Sequence, residues 1–248
     1  GDDPATEYYM GSQQRAADKL GVNYRKVTLD TDVDQETLNS RLTELSDDGR
    51  VDGIILLVPL PQPLDIKEAR EHISPAKDVE GVHPASIGRL ALGEDALVAP
   101  TALSAFTLAR EALGNLAGVE TVVAGYSDTV GKPLSYLLLN ERATVTVLRS
   151  RVKDIAAHIG RCELVVAAMG RAQFVKGDWL AEGAVVVDVG TNEIEVDTPE
   201  GKKTKWVGDV DTDSVKGIAQ AVTPVPGGVG TLTTALLFEN LLKAIGSR

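Results

Sequence analysis

Two glycine-rich segments of the chain combine residue types that suit ligand binding. In GYSDTVGKP, Gly125–Pro133, one glycine follows an apolar run and a second glycine precedes a helical pattern at Pro133–Leu139. A dinucleotide site requires this order of strand, glycine-rich turn and helix, because backbone amides at a helix N-terminus attract a pyrophosphate. In TPVPGGVG, Thr223–Gly230, prolines and paired glycines constrain the backbone and leave few side chains. This second segment predicts a rigid wall against a flat ligand.

The first segment predicts most of the cofactor contacts. Its glycines are separated by five residues, a wider spacing than the common G-x-G-x-x-G fingerprint. A glycine turn between strand and helix that binds no ligand is the alternative interpretation. We expect cofactor contacts from Gly125, Tyr126, Ser127, Thr129, Val130 and Gly131, and a further contact from Thr191 at a later strand end.

The end of the next strand indicates which nicotinamide cofactor is bound. NAD sites commonly place Asp or Glu there to bind the ribose 2′-hydroxyl. In this chain the strand Thr144–Leu148 is followed by Arg149, Ser150 and Arg151. Guanidinium groups suit a 2′-phosphate by charge and by hydrogen-bond geometry, so the sequence predicts NADP. A solvated basic turn is the alternative.

The composition excludes several classes of protein. A chain of 248 residues with 43% hydrophobic content can bury a large core, and its formal charge of −11 argues against binding nucleic acid or anionic membranes. We see no apolar run of membrane-spanning length and no signal peptide, so we expect a cytoplasmic protein. Cys162 is alone, and His72, His83 and His158 have no metal-binding spacing, so we expect no disulfide and no metal.

Helical and apolar patterns alternate along the chain and predict an α/β fold with a mostly parallel sheet in each half. Helices are expected at 6–20, 34–47, 65–73, 101–113, 133–140, 152–160, 179–182, 215–219 and 231–244. Strands are expected at 23–29, 53–58, 120–124, 144–148, 164–167, 184–189 and 205–207, with a loop at 75–89. The seam between the two halves is expected near Leu113–Val119.

The two glycine-rich segments, with a βαβ pattern between them, resemble the methylenetetrahydrofolate dehydrogenase/cyclohydrolase family. The family motif TPVPGGVGPMT reads TPVPGGVGTLT here, and the resemblance covers nearly the whole chain. It implies an oxidoreductase of one-carbon metabolism and a homodimer. It also implies an N-terminal α/β folate-binding domain, residues 1–114, onto which the C-terminal helix at 231–248 returns. Residues 115–230 would form a Rossmann-like, doubly wound parallel sheet that binds NADP.

The resemblance also identifies candidate catalytic positions, and three polar positions differ from the family pattern. The family carries a Tyr and, four residues later, a Lys that serves in hydrolysis of the methenyl cation; these positions are Tyr9 and Gln13 here. The spacing places both side chains on one helix face. A glutamine neither titrates nor carries charge. The folate-binding aspartate of the family motif KDVDG becomes Glu80.

Substrate contacts are expected from two proline-containing segments. Leu57 stands where the family has Gln before Leu-Pro-Leu-Pro, and Pro59 follows it. Pro226, Gly227 and Gly228 would form the wall beside the substrate. In the family a helix and a strand precede the position of Gly1, so the first sheet is expected to lack a strand.

These observations lead to one hypothesis and two alternatives. Hydride transfer depends chiefly on positioning, whereas hydrolysis needs a proton-transfer group. The sequence therefore predicts an NADP-dependent methylenetetrahydrofolate dehydrogenase with weak or absent cyclohydrolase activity. One alternative is a repurposed oxidoreductase for a different cyclic imine or iminium, which Leu57 favours. The other is a non-catalytic member that binds nucleotide.

Overall fold

The structure is a computed structural model that describes residues 4–198 and 201–246. Its helices are α1 (Pro4–Leu20), α2 (Gln35–Asp47), α3 (Ile66–Glu71), α4 (Pro84–Ala91), α5 (Pro100–Leu113), α6 (Gly131–Asn140), α7 (Ile155–Ile159), α8 (Thr212–Val215) and α9 (Val229–Gly246). Its strands are β1 (Glu120–Ala124), β2 (Thr144–Leu148), β3 (Leu164–Ala167), β4 (Val185–Asp188), β5 (Asn192–Thr198), β6 (Gly201–Val207) and β7 (Ala221–Val222). None of the helices so described is long and apolar enough to cross a membrane.

The second half of the chain contains a five-stranded parallel sheet in the order β2-β1-β3-β4-β7. Its central strands are continuous apolar runs because both faces of the sheet are covered. Alternate residues of β1 separate two cores: Val123 packs with Leu134 of α6, whereas Val122 packs with Ile159 of α7. The predicted doubly wound sheet is therefore confirmed. The predicted bounds of β1, β2 and β3 agree with the structure.

In the N-terminal half, two predicted strands are wrong. Residues 23–29 form no strand, and the apolar run 53–58 contributes only an isolated parallel bridge between Ile54 and Asp78. An apolar run becomes a strand only when a neighbouring segment supplies the ladder of hydrogen bonds. Among the described residues, Ile54 pairs only with Asp78, and this single bridge does not extend into a ladder. The parallel sheet predicted for each half is found only in the second.

Several shorter elements also differ from prediction. The loop predicted at 75–89 contains the start of α4. Pro84 is the first residue of this helix, and His83 caps it, because His83 Nδ1 accepts a hydrogen bond from the Ala85 amide (3.0 Å). The strand predicted at 205–207 is the end of β6, which pairs with β5 as an antiparallel hairpin outside the parallel sheet. The helix predicted at 179–182 is a single 3₁₀ turn at Gly177–Trp179. Similarly, the helix predicted at 215–219 is α8, which begins earlier after its cap Asp211.

The last helix returns to the N-terminal half, as the resemblance implies. Helix α9 packs along α5, and Leu237 and Ala244 share a core with Val79 and Leu97. The buried Asn240 amide donates to the carbonyl oxygens of Val79 and Val98, each at 2.8 Å. These bonds tie α9 to the segment that carries Glu80. The C-terminal helix therefore supports the candidate catalytic surface.

Candidate active site

The glycine-rich turn lies where the sheet changes its direction of winding. Strand β1 pairs with β2 on one side and β3 on the other, and open parallel sheets bind ligands beyond the strand ends at such a point. Gly125 has φ +136°, and a Cβ there would lie 2.1 Å from the Ala168 carbonyl oxygen. A Cβ at Gly131 would lie 2.2 Å from the Gly125 carbonyl oxygen. Both positions therefore require glycine for the backbone to pack at this point.

Helix α6 begins directly from this turn. The Ser127 hydroxyl accepts a hydrogen bond from the Val130 amide (3.1 Å), and the Ser127 carbonyl oxygen accepts one from the Lys132 amide (3.1 Å). Thr129 and Val130 are half-buried in the turn. The positive end of the dipole of this ten-residue helix favours an anion. The geometry thus suits a pyrophosphate.

A cavity of about 330 Å³ opens beside the turn. Its lining is largely apolar and combines residues from three strand ends: Gly125, Leu148, Arg149, Ser150, Val152, Ile155, Ala168, Met169, Arg171 and Phe174. An apolar slot beside two guanidinium groups matches an aromatic base whose ribose carries a phosphate. The predicted contacts Gly125, Arg149 and Ser150 are brought together here. By contrast, Arg151 and Thr191 are exposed and do not line this cavity.

Aromatic rings orient both arginines of the cavity. The Arg149 guanidinium carbon lies 4.9 Å from the centre of the Tyr126 ring. That of Arg171 lies 3.6 Å from the centre of the Phe174 ring, which in turn packs edge-on against Trp179. Cation–π contacts of this kind restrict the rotamers of long cationic side chains. The cavity therefore holds two oriented cations.

A buried aspartate fixes the loop that carries Arg171. The Asp209 carboxylate accepts the backbone amides of Met169 (2.5 Å), Gly170 (2.9 Å) and Arg171 (2.8 Å). The Asp209 amide donates in turn to Asp188 (2.9 Å), whose pKa is raised to about 6, first by burial and further by the charge of Asp209. The loop after β3 is thus held in place at the cavity.

In the N-terminal half, Tyr9 and Gln13 of α1 meet Tyr24 and Glu80. The Tyr24 hydroxyl donates to Gln13 Oε1 (2.9 Å). Burial raises the pKa of Tyr9, the nearby Glu80 adds to the shift, and the Gln13 amide acts in the opposite direction. Gln13 is fully buried, and no described residue serves as a hydrogen-bond partner for its Nε2. A buried donor left unpaired costs free energy that a bound acceptor would recover.

Glu80 is the carboxyl group of this cluster. Its pKa is raised to about 8, first by burial and then by the neighbouring Asp78, while Arg70 and the Leu56 amide act in the opposite direction. Glu80 also raises the pKa of Tyr24, after the larger effect of burial. A carboxyl group with such a pKa can donate or accept a proton near neutral pH.

The remaining predicted substrate contacts lie on two turns. Leu57 is half-buried and Pro59 is exposed. Pro226 and Gly227 are exposed and Gly228 is buried, directly before α9. Gly227 has φ +108°, and a Cβ at Gly228 would lie 2.5 Å from the Pro224 carbonyl oxygen, so this turn is as tight as its composition predicts. Contact of these residues with substrate stays a prediction.

Four residues that contribute to these two sites were not predicted from the sequence. They are Tyr24, Arg70, Arg171 and Phe174. Tyr24 lies in the segment 23–29, for which the sequence predicts a strand, and Arg70 lies in the helix predicted at 65–73. The Arg-x-x-Phe spacing that begins four residues after the end of β3 is a sequence signal for Arg171 and Phe174. Among the residues at 4–198 and 201–246, no cluster of three or more His, Cys, Asp or Glu side chains could hold a metal ion.

The fold places a glycine-rich turn with an adjoining cavity in the second half of the chain and a cluster around Glu80 in the first half. Residues 99–248 match the family model described as the NAD(P)-binding domain of tetrahydrofolate dehydrogenase/cyclohydrolase. Residues 1–80 match the catalytic domain of the same family. The chain belongs to the tetrahydrofolate dehydrogenase/cyclohydrolase family, as its motifs predicted.

Relatives resemble the chain over almost all of its length. The bifunctional protein FolD of Paramagnetospirillum magneticum is 43% identical over 98% of this chain and 82% of its own length. A structure of the FolD dehydrogenase/cyclohydrolase of Campylobacter jejuni has a TM-score of 0.92 and 34% identity, covering 100% of this chain and 86% of the other. The Trypanosoma brucei enzyme, solved with NADP and an inhibitor, has a TM-score of 0.92 and 33% identity, covering 100% and 84%.

Proposed function

We propose that the protein is an NADP-dependent 5,10-methylenetetrahydrofolate dehydrogenase in which methenyl cyclohydrolase activity is weak or absent. The observation that carries the proposal is Gln13, a fully buried neutral amide at the position where the family has a lysine. Its Oε1 is engaged by Tyr24, while its Nε2 has no partner among the described residues. The site therefore offers a hydrogen-bond donor where the family offers an ammonium.

The residues of the second half fit NADP. Gly125 and Gly131 allow a backbone approach that any Cβ would block, and Arg149 and Arg171 supply two oriented cations beside an apolar slot. NADP⁺, when bound, accepts a hydride. Ser127 and the N-terminus of α6 would contact the pyrophosphate. The basic residues after β2 favour the phosphorylated cofactor over NAD.

The residues of the N-terminal half would bind and orient the folate. The unpaired Gln13 amide would donate to an acceptor of the pterin, and Tyr9 would lie against the ring. Glu80 would contact its polar edge, and Leu57 would contribute an apolar contact. Pro226, Gly227 and Gly228 would form the opposing wall. Such an arrangement positions the methylene carbon for hydride transfer, a step that depends chiefly on orientation.

Hydrolysis of the methenyl form makes a different demand. Water must lose a proton as it attacks, and a missing general acid/base typically costs ~10²–10⁴-fold in rate. Gln13 cannot accept that proton. Because the pKa of Glu80 is about 8, Glu80 is the group whose ionisation any residual hydrolysis should follow.

We also propose the division into a folate-binding unit, residues 1–114 with the returning helix, and a cofactor-binding unit, residues 115–230. A homodimer, implied by the family resemblance, completes the proposal. Light scattering coupled to size-exclusion chromatography measures the oligomeric state. A mass of one chain across the working concentration range would exclude the dimer.

The test of function is NADPH formation with 5,10-methylenetetrahydrofolate, together with calorimetric titration of tetrahydrofolate. We expect turnover with NADP⁺ and binding of tetrahydrofolate. Turnover of another cyclic iminium without tetrahydrofolate binding would instead support the repurposed oxidoreductase. NADP⁺ binding with no turnover of any such compound would support the non-catalytic alternative.

A further inference from the structure

An ion pair joins the N-terminal half to the glycine-rich turn. Arg70 of α3 is only 9% exposed, and its Nη1 donates to Asp128 Oδ2 at 2.9 Å. Asp128 is more exposed and lies between Gly125 and Gly131. The two residues are 58 positions apart in the chain. A contact between such distant segments constrains how the turn lies relative to the proposed substrate cluster, which consists of Tyr9, Gln13, Tyr24 and Glu80.

The Arg70 guanidinium serves carboxyl groups of both clusters. It acts to lower the pKa of Glu80 and of Asp78 in the N-terminal half. The pKa of Asp128 is lowered chiefly by Lys132 and then by Arg70. One buried cation therefore interacts with the acids of the substrate cluster and with the acid of the cofactor turn.

The contacts continue from Asp128 to the cavity beside the glycine-rich turn. Lys132 Nζ lies 2.5 Å from Asp128 Oδ1 and 5.0 Å from the centre of the Tyr126 ring. The guanidinium of Arg149 lies on the same ring at 4.9 Å. A continuous series of charged and aromatic contacts thus runs from Arg70 to the arginine that lines the cofactor cavity.

We propose that Arg70 and Asp128 are positioning residues that hold the cofactor turn against the substrate cluster and thereby couple binding at the two sites. Backbone packing fixes the two ends of the turn at Gly125 and Gly131, and the ion pair of Asp128 with Arg70 holds the exposed middle of the turn to the N-terminal half. Arg70 is suited to the task, since a guanidinium keeps its charge and a buried one resists loss of its partner. The expected effect of these residues on cofactor binding follows from the ion pair alone. The expected effect of folate binding on cofactor affinity also rests on the proposed function.

Replacement of Asp128 distinguishes this proposal from a simple charge effect. Removing a carboxylate near a site for an anionic cofactor would tighten binding by Coulomb's law, and it would also release Lys132 toward the phosphates. If the carboxylate instead anchors the turn, Asp128→Asn should weaken binding. The two accounts predict opposite signs.

The experiment titrates the full chain with NADP⁺ by calorimetry, for wild type, Asp128→Asn, Arg70→Gln and the double variant. We expect each single change to raise the Kd about three- to tenfold. The Kd of the double variant should not exceed the higher of the two single-variant values, because both changes remove the same ion pair. Glu195→Gln is the matched control, because it breaks the Lys202 ion pair on the β5–β6 hairpin with the same change of charge. Its Kd should stay within about twofold of wild type.

Tighter or unchanged NADP⁺ binding by Asp128→Asn would overturn the proposal, as would additive effects in the double variant. Should Arg70→Gln fail to fold, Arg70→Lys takes its place in the cycle and is expected to retain part of the affinity. A second titration of NADP⁺ at saturating tetrahydrofolate tests coupling: the wild type should show a shift in Kd that Asp128→Asn reduces. Absence of tetrahydrofolate binding would count against the proposed function alone and would leave the first titration decisive for the anchor.

Discussion

The proposed cofactor site around Gly125 and the proposed substrate cluster around Gln13 owe their geometry to different features of the chain. Around Gly125 the geometry is fixed by backbone packing, since a Cβ has no room beside the Ala168 carbonyl oxygen. Around Gln13 the geometry depends on side chains, namely two tyrosines and a carboxyl group whose pKa is shifted by burial. Backbone constraints permit few substitutions, whereas a side-chain cluster can change its chemistry while the fold persists. The proposed cofactor turn therefore depends on its glycines, whereas the proposed substrate site depends on the chemistry of its side chains.

The largest expected effect is on the backbone side of this comparison. Gly125→Ala should lower the free energy of unfolding by about 2–4 kcal/mol and reduce NADP⁺ affinity at least tenfold, because the new Cβ would overlap the Ala168 carbonyl oxygen. Urea unfolding and calorimetry measure the two effects. Gly88→Ala in α4 is the control, since a Cβ there has nothing within 4 Å. Equal behaviour of the two variants would refute the backbone argument.

The next effect separates the two arginines after β2. Arg149→Ala should weaken NADP⁺ binding by about 1.5–3 kcal/mol, or tenfold or more, and leave NAD⁺ binding almost unchanged. Arg151→Ala should have a much smaller effect, because Arg151 does not line the cavity. Titrations with both cofactors measure the ratio. If Arg151→Ala changes the preference for NADP⁺ over NAD⁺ and Arg149→Ala does not, the cavity does not bind the 2′-phosphate end of the cofactor.

On the side-chain part of the comparison, Gln13→Lys should raise methenyl hydrolysis by about tenfold or more, since it restores a titratable group beside Glu80. Gln14→Lys, one position along α1, is the control for added charge. If Leu57 and Glu80 have also reshaped the site, recovery will require Leu57→Gln and Glu80→Asp as well. A triple variant that neither binds tetrahydrofolate nor hydrolyses the methenyl form would contradict the folate assignment.

The last effect concerns the charge of Glu80, whose pKa is raised from 4.5 to about 8. A carboxyl group with a raised folded-state pKa contributes stability that is full below its unfolded pKa and is lost as pH rises through its folded pKa. Between these two values the free energy of unfolding of the wild type should therefore fall relative to that of Glu80→Gln as the pH rises. Urea unfolding at several pH values measures the difference. Parallel pH profiles of the two proteins would contradict the shift.

The same contrast explains what could be predicted from the sequence. The strands Glu120–Ala124, Thr144–Leu148 and Leu164–Ala167 were predicted correctly because buried parallel strands are apolar runs bounded by turn residues. Strands at 23–29 and 53–58 were predicted wrongly, since a local pattern does not show whether a partner strand is available. The glycine-rich turn could be predicted because the backbone constraint that requires glycine acts within a short segment of the chain.

Contacts between side chains that are distant in the sequence could not be predicted in this way. Arg70 and Asp128 are 58 positions apart, and nothing local to either residue indicates their ion pair. Tyr24 contacts Gln13 through a hydrogen bond that no spacing rule predicts. Resemblance identified Gln13 and Glu80 as positions, but their burial and the pKa of Glu80 follow only from the packing around them.

The most direct test of the central claim compares two rates in one preparation of the unmodified protein. One is NADPH formation from 5,10-methylenetetrahydrofolate, and the other is hydrolysis of 5,10-methenyltetrahydrofolate. The account predicts clear enzymatic NADPH formation, with hydrolysis close to the rate without enzyme. Enzymatic hydrolysis as fast as dehydrogenation would show that the site performs proton transfer without a lysine at position 13, and would contradict the account.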